Sequence, residues 1–164
     1  VAIHRQAYYE YFQHVSAGVT LKKLPAWAVA LYQPYFTHVK LTDVQVGESS
    51  NTSDSNTAMT DCTKIYFPAA KHVLASIDDA TAFSHDRWLL HELAHTDQCQ
   101  GMSSTGFSTK RDAYADMWFS QVSTGAILEI LSGNWPSSDD IHDAMPMEEE
   151  ADAKASRVMV AVGP

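Results

Sequence analysis

His91-Glu92-Leu93-Ala94-His95 is the segment of this chain whose residue types and spacing can do chemistry. On a helix, residues four apart lie one above the other, so both imidazoles reach a single cation. Glu92, one residue past His91, then flanks the open coordination position, where a carboxylate can take a proton from water. The bland alternative is a pair of ordinary surface histidines. Against it, Trp88, Leu89, Leu90, Leu93 and Ala94 predict a largely buried helix, in which two unpaired imidazoles would be costly.

A catalytic zinc ion takes three protein ligands and keeps its fourth position for water. The HExxHxxGxxH spacing is absent, because Gln98 stands in the glycine position and Gly101 in that of the third histidine. Asp112 and Asp116 are candidate third ligands, although the glycines that would mark such a turn are missing. Glu148 is preferred, because it forms an ExxxD pair with Asp152 on a predicted final helix. One carboxylate would bind zinc while the other, a turn later, accepts the free ring N–H of a ligand histidine. The run Glu148-Glu149-Glu150 also suits the acidic first turn of any helix, but that role leaves the ExxxD spacing unaccounted for. Tyr114, His142 and Arg157 are candidate donors to a developing oxyanion.

The elements that must position these residues follow from periodicity. Tyr8, Tyr9, Tyr11, Phe12 and Val15 predict an amphipathic helix over Ala7 to Val15, and Pro25 opens a second carrying Trp27, Val29, Leu31 and Tyr35. Val39 to Val46 and Asp61 to Phe67 read as strands, the latter ended by Pro68, with the polar stretch Gly47 to Thr60 between them as an exposed loop. Asp86 to Gln98 reads as the active-site helix, stopped at Gly101. Ala113 to Leu131 reads as one helix weakened by Gly125, Asn134 to Asp140 as a turn-rich connection, and Pro146 as the start of the last helix. The class is therefore α+β, mostly helical, with a small sheet before the active-site helix.

With 164 residues, 45% hydrophobic and 19% charged, the chain fits one domain. Within it, N-terminal helices and the small sheet span 1–83, the active-site helix 84–100 and a helical part 101–164. Eleven Lys and Arg against 20 Asp and Glu leave a net charge of −9, which argues against nucleic acid and anionic membrane as partners. No apolar run approaches the roughly 20 residues of a spanning helix, so a soluble chain is expected. It starts at Val1 rather than Met, which fits a processed or trimmed product. Cys62 and Cys99 lack CxxC spacing, so either one disulfide or two buried thiols is expected. An oxidised pair would favour an exported protein.

By HExxH followed downstream by ExxxD, the sequence resembles the gluzincins, the glutamate-type zinc metallopeptidases. Leu89-Leu90-His91-Glu92-Leu93-Ala94-His95-Thr96-Asp97-Gln98 is similar to the LLxHELAHxxQ segment of a bacterial metallopeptidase-domain family linked to extracellular contractile injection systems and toxins. The likeness extends to the helix from Leu24 to Phe36, to Leu41-Thr42-Asp43-Val44-Gln45-Val46 and to Ile65-Tyr66-Phe67-Pro68. Glu148-Glu149-Glu150-Ala151-Asp152 resembles the ExEAD of related gluzincins, and no likeness is found between Gln100 and Met145. The resemblance implies a zincin-like domain, one zinc ion on His91, His95 and Glu148, Glu92 as general base and acid, and Asp152 orienting a ligand.

The expected activity is hydrolysis of peptide bonds in a protein or peptide substrate by a secreted or extracellular monomer. An extended substrate adding to the strand Asp61 to Phe67, were that strand a sheet edge, would bind with little sequence preference. Two alternatives stand beside this. One is a zinc-binding docking or scaffold domain with little catalysis; the other is a metal-free interaction domain whose HExxH helix is simply core.

Overall fold

The computed structural model describes residues 2–122, 124–136 and 145–164. Spacing of the aromatic side chains winds helix α1 over Ala2–Ser16, with Ala7, Tyr8, Tyr11, Phe12 and Val15 on its buried stripe. Helix α2 (Ala26–Tyr32) follows Pro25, which takes the position just before the first helical turn rather than within it. The chain then departs from the strand expected over Val39 to Val46. Its backbone polar groups are satisfied by side chains: Gln33 donates to the carbonyls of Phe36 and Val39 and accepts from the Leu41 N–H, while Asp97 accepts from the N–H groups of His38 and Val39. With those groups satisfied, Leu41–Asp43 forms a short 3₁₀ turn, and pairing starts only at Gln45.

The sheet has four strands in the order β1-β2-β4-β3: Lys22–Lys23 (β1), Gln45–Ser49 (β2), Met59–Asp61 (β3) and Lys64–Pro68 (β4). β2 runs parallel to β4, and the other two pairs are antiparallel. Both ends of the expected polar loop, Gly47 to Ser49 and Met59 to Thr60, are thus strand. The expected strand Asp61 to Phe67 holds from Lys64 on as β4, but its first residue belongs to β3, because Cys62 adopts φ 51° and turns the chain back on itself. β4 is an interior strand, and β3 is the edge. At Gly47 a Cβ would collide with Val19, so glycine lets the segment after α1 cross close over the sheet.

Alternation along β4 divides the core in two. Ile65 and Phe67 face a cluster with Tyr32 and Phe36, Leu89, Leu90 and Leu93 of helix α3 (Asp86–Gly101), and Ala151, Ala155 and Val158 of the last helix. Tyr66 and Met59 face α1, helix α4 (Lys110–Ser120) and helix α5 (Thr124–Leu131). The single helix expected over Ala113 to Leu131 is therefore two. After Ser120 the N–H groups of Gln121 and Val122 bond three residues back, to Trp118 and Phe119, which tightens and ends the turn. Thr109 caps α4 by accepting the Asp112 N–H at 3.1 Å. The last helix, α6 (Pro146–Val162), starts at proline with Glu148 and Glu149 in its first turn, as the sequence predicts. Overall the class is α+β.

A disulfide joins Cys62, in the β3–β4 turn, to Cys99, one turn past His95 on α3, with Cα atoms 5.2 Å apart. A second tie holds β3: buried Asp61 accepts two bonds from Arg111 of α4, at 2.7 and 2.5 Å, and one from the Tyr8 hydroxyl at 2.9 Å. The Arg111 guanidinium lies 4.4 Å from the centre of the Tyr9 ring. Burial alone would lower the Arg111 pKa, but Asp61 and the two tyrosines hold it above its ordinary value.

Candidate metal centre

α3 carries His91 and His95 on the face that meets α6, and α6 brings Glu148 onto the same point. Glu148 Oε2 is 3.0 Å from His91 Nε2 and 3.2 Å from His95 Nε2, and the two nitrogens are 3.1 Å apart. A tetrahedral ion with bonds of about 2.0–2.1 Å sets its ligand atoms about 3.3–3.4 Å apart, so this triangle is close to one face of such a tetrahedron. Histidines with one carboxylate are also the donor set of a three-ligand zinc site.

The far nitrogens of both rings are held. Gln98 Nε2 donates to the Met147 carbonyl at 2.9 Å, so its Oε1 faces His95 Nδ1 as an acceptor at 2.8 Å. Asp152 Oδ1 accepts from His91 Nδ1 at 3.0 Å. With their protons on Nδ1, two neutral imidazoles direct Nε2 lone pairs at each other and at a carboxylate oxygen. Such a convergence needs a cation, or extra protons in its place. Burial lowers the His91 pKa, yet Glu148, Glu92 and Asp152 outweigh it and hold it up to about 9. His95, also pulled down by burial, is raised above its ordinary value by Glu148 and Glu92.

Glu92 is 3% exposed and accepts a 2.6 Å hydrogen bond from Thr60 Oγ1 on β3. Thr60 escapes sequence reasoning because its only local signal is membership of a polar stretch. Gln98 had a signal that went unused, since a residue three past His95 shares its helix face. Tyr114 of α4 is buried, and its hydroxyl pKa is pushed well above the ordinary value, first by burial and then by Glu148, Glu92 and Asp61. Its ring packs edge-on against Tyr8, with ring centres 6.3 Å apart.

The other candidates lie elsewhere. Asp112 accepts from the Tyr9 hydroxyl and Asp116 meets His4, so both face α1 and neither joins the triangle. Arg157 lies nine residues past Glu148, about 180° round α6, and lines a cavity on the opposite face. His142 lies outside the described residues. Among those described, no helix is long and apolar enough to cross a membrane. No protein-family model, curated protein or solved structure matches this chain.

Proposed function

We propose that the chain is a zinc-dependent peptidase of gluzincin type that cleaves peptide bonds in protein or peptide substrates outside the cell. The observation that carries this is the near-tetrahedral triangle of His91 Nε2, His95 Nε2 and Glu148 Oε2, with both Nδ1 atoms held by acceptors and a buried carboxylate beside it. Zinc bound there would supply Lewis acidity and water with its pKa lowered to about 7. Glu92 takes the proton of the attacking water and passes it to the leaving amine. Thr60 fixes one Glu92 oxygen, and the other is the one that would take the proton. Asp152 and Gln98 keep the ligand rings oriented.

Substrate binding follows from the edge strand. In the hairpin, Asp61 pairs with Lys64 and Thr60 with Ile65, so a tight two-residue turn points the main-chain N–H and C=O of Thr60 away from β4. An extended peptide pairing with β3 would thus lie beside the residue that holds Glu92. The test is elemental analysis of the purified protein beside its Glu148→Ala variant. One zinc per chain, reduced in the variant, supports the site; no zinc in the parent after dialysis against it overturns the reading.

A further inference from the structure

On the face of α6 turned away from Glu148, a cavity of about 530 Å³ opens between α3, the end of α4, the start of α6 and Thr37–His38. That size suits a drug-sized ligand. Glu150, Lys154 and Arg157 line it at helix spacings of four and three, one above the other on one face. Neither Glu150 nor Arg157 has an ion-pair or hydrogen-bond partner among the described residues, and the Lys154 ammonium lies 5.4 Å from the Phe36 ring centre. Asp97, the other carboxylate in the wall, is already engaged by the N–H groups of His38 and Val39. The row along α6 therefore offers one negative end and one positive end.

From Glu150 to Arg157 is seven residues, a helix rise of about 10.5 Å. An extended peptide advances about 3.3–3.6 Å per residue, so that row matches three residues from terminus to terminus. Met102, Met117 and Met147 give the cavity a soft, adaptable apolar wall. Gln121 also lines the cavity, and its side-chain oxygen is buried without a hydrogen-bond partner among the described residues. A buried acceptor left without a donor is unfavourable, and a main-chain N–H of a ligand would satisfy it. We propose that this cavity binds a zwitterionic tripeptide with an apolar central side chain, its ammonium on Glu150 and its carboxylate on Arg157 and Lys154. The cavity adjoins the proposed metal centre through Gln98, which also faces His95, but its charged row lies on the other face of α6 from Glu148, so the proposal does not rest on the peptidase reading.

The test is isothermal titration of L-alanyl-L-leucyl-L-alanine into the full chain on a Glu92→Gln background, which keeps hydrolysis out of the measurement. One site per chain is expected, with Kd below about 1 mM. N-acetylation and C-terminal amidation should each weaken binding about tenfold or more. In Arg157→Gln the free peptide should lose as much, and amidation should then cost clearly less than in the parent, the remainder being the contact with Lys154; in Glu150→Gln acetylation should cost nothing further. Both residues are exposed, and an unchanged circular dichroism spectrum confirms that the variants fold. Absence of binding up to about 10 mM, equal affinity for the blocked peptides, or penalties that do not match the variants would each overturn the proposal.

Discussion

Glu92, held by Thr60, carries the proposed chemistry. Glutamine in place of Glu92 keeps the size of the side chain but cannot accept a proton, and none of the three ligands is touched. Glu92→Gln should therefore retain zinc by elemental analysis and lose turnover by about 10²–10⁴-fold; undiminished cleavage of a protein substrate would refute its role as base. On the proposed reading, protons and metal would compete at His91. In chelated protein its pKa stands at about 9, above the ordinary 6.5. A raised folded-state pKa means that the protonated ring adds stability in full below about pH 6.5, and that this is lost as pH rises through about 9. Urea midpoints of chelated protein should fall across that window, and His91→Gln should flatten the fall. Zinc binding should instead strengthen as pH rises, because the ligands must shed protons.

α3 concentrates the candidate site: two candidate ligands, the proposed base and a cysteine lie on sixteen residues. The disulfide from its last turns to the β3–β4 turn ties the helix to the strand that holds Thr60. Closing a loop with a sequence separation of 37 constrains the unfolded chain, so Cys62→Ser with Cys99→Ser should cost about 2–4 kcal/mol in urea unfolding. A stability unchanged by that pair of substitutions would mean that the bond constrains nothing. Long helices with strong periodicity were legible in the sequence, as α1, α3 and α6 show. The strand over Val39 to Val46 was misread because its apolar spacing resembles alternation, whereas Gln33 and Asp97 supply hydrogen bonds from eight and 58 residues away in a pattern that periodicity does not encode. The hairpin was misread because its turn is made at Cys62, a residue type that gives no turn signal.

At the scale of the molecule, the candidate ligands His91, His95 and Glu148 come together only while α3 and α6 are packed across Leu89, Leu93, Ala151 and Ala155. On the proposed reading zinc would bind the folded chain alone, and at about 100 times its Kd it should add about 2.7 kcal/mol. For a domain of this size that is a rise in thermal midpoint of about 5–10 °C. Calorimetry with and without chelator reads it, and identical midpoints would favour the metal-free interaction domain. The sequence by itself determined the class, the one-face pairing of His91 with His95, the neighbouring Glu92, and the preference for Glu148 with Asp152, because helical spacing is a local property. Tertiary structure alone decided that Asp112, Asp116 and Arg157 stand away from the site, that Thr60 holds Glu92, and that β3 rather than β4 forms the edge. Those outcomes depend on the angle at which α4 and α6 meet the rest of the core and on the order of strands in the sheet. Such contacts join residues tens of positions apart, and local patterns of size and polarity do not specify them.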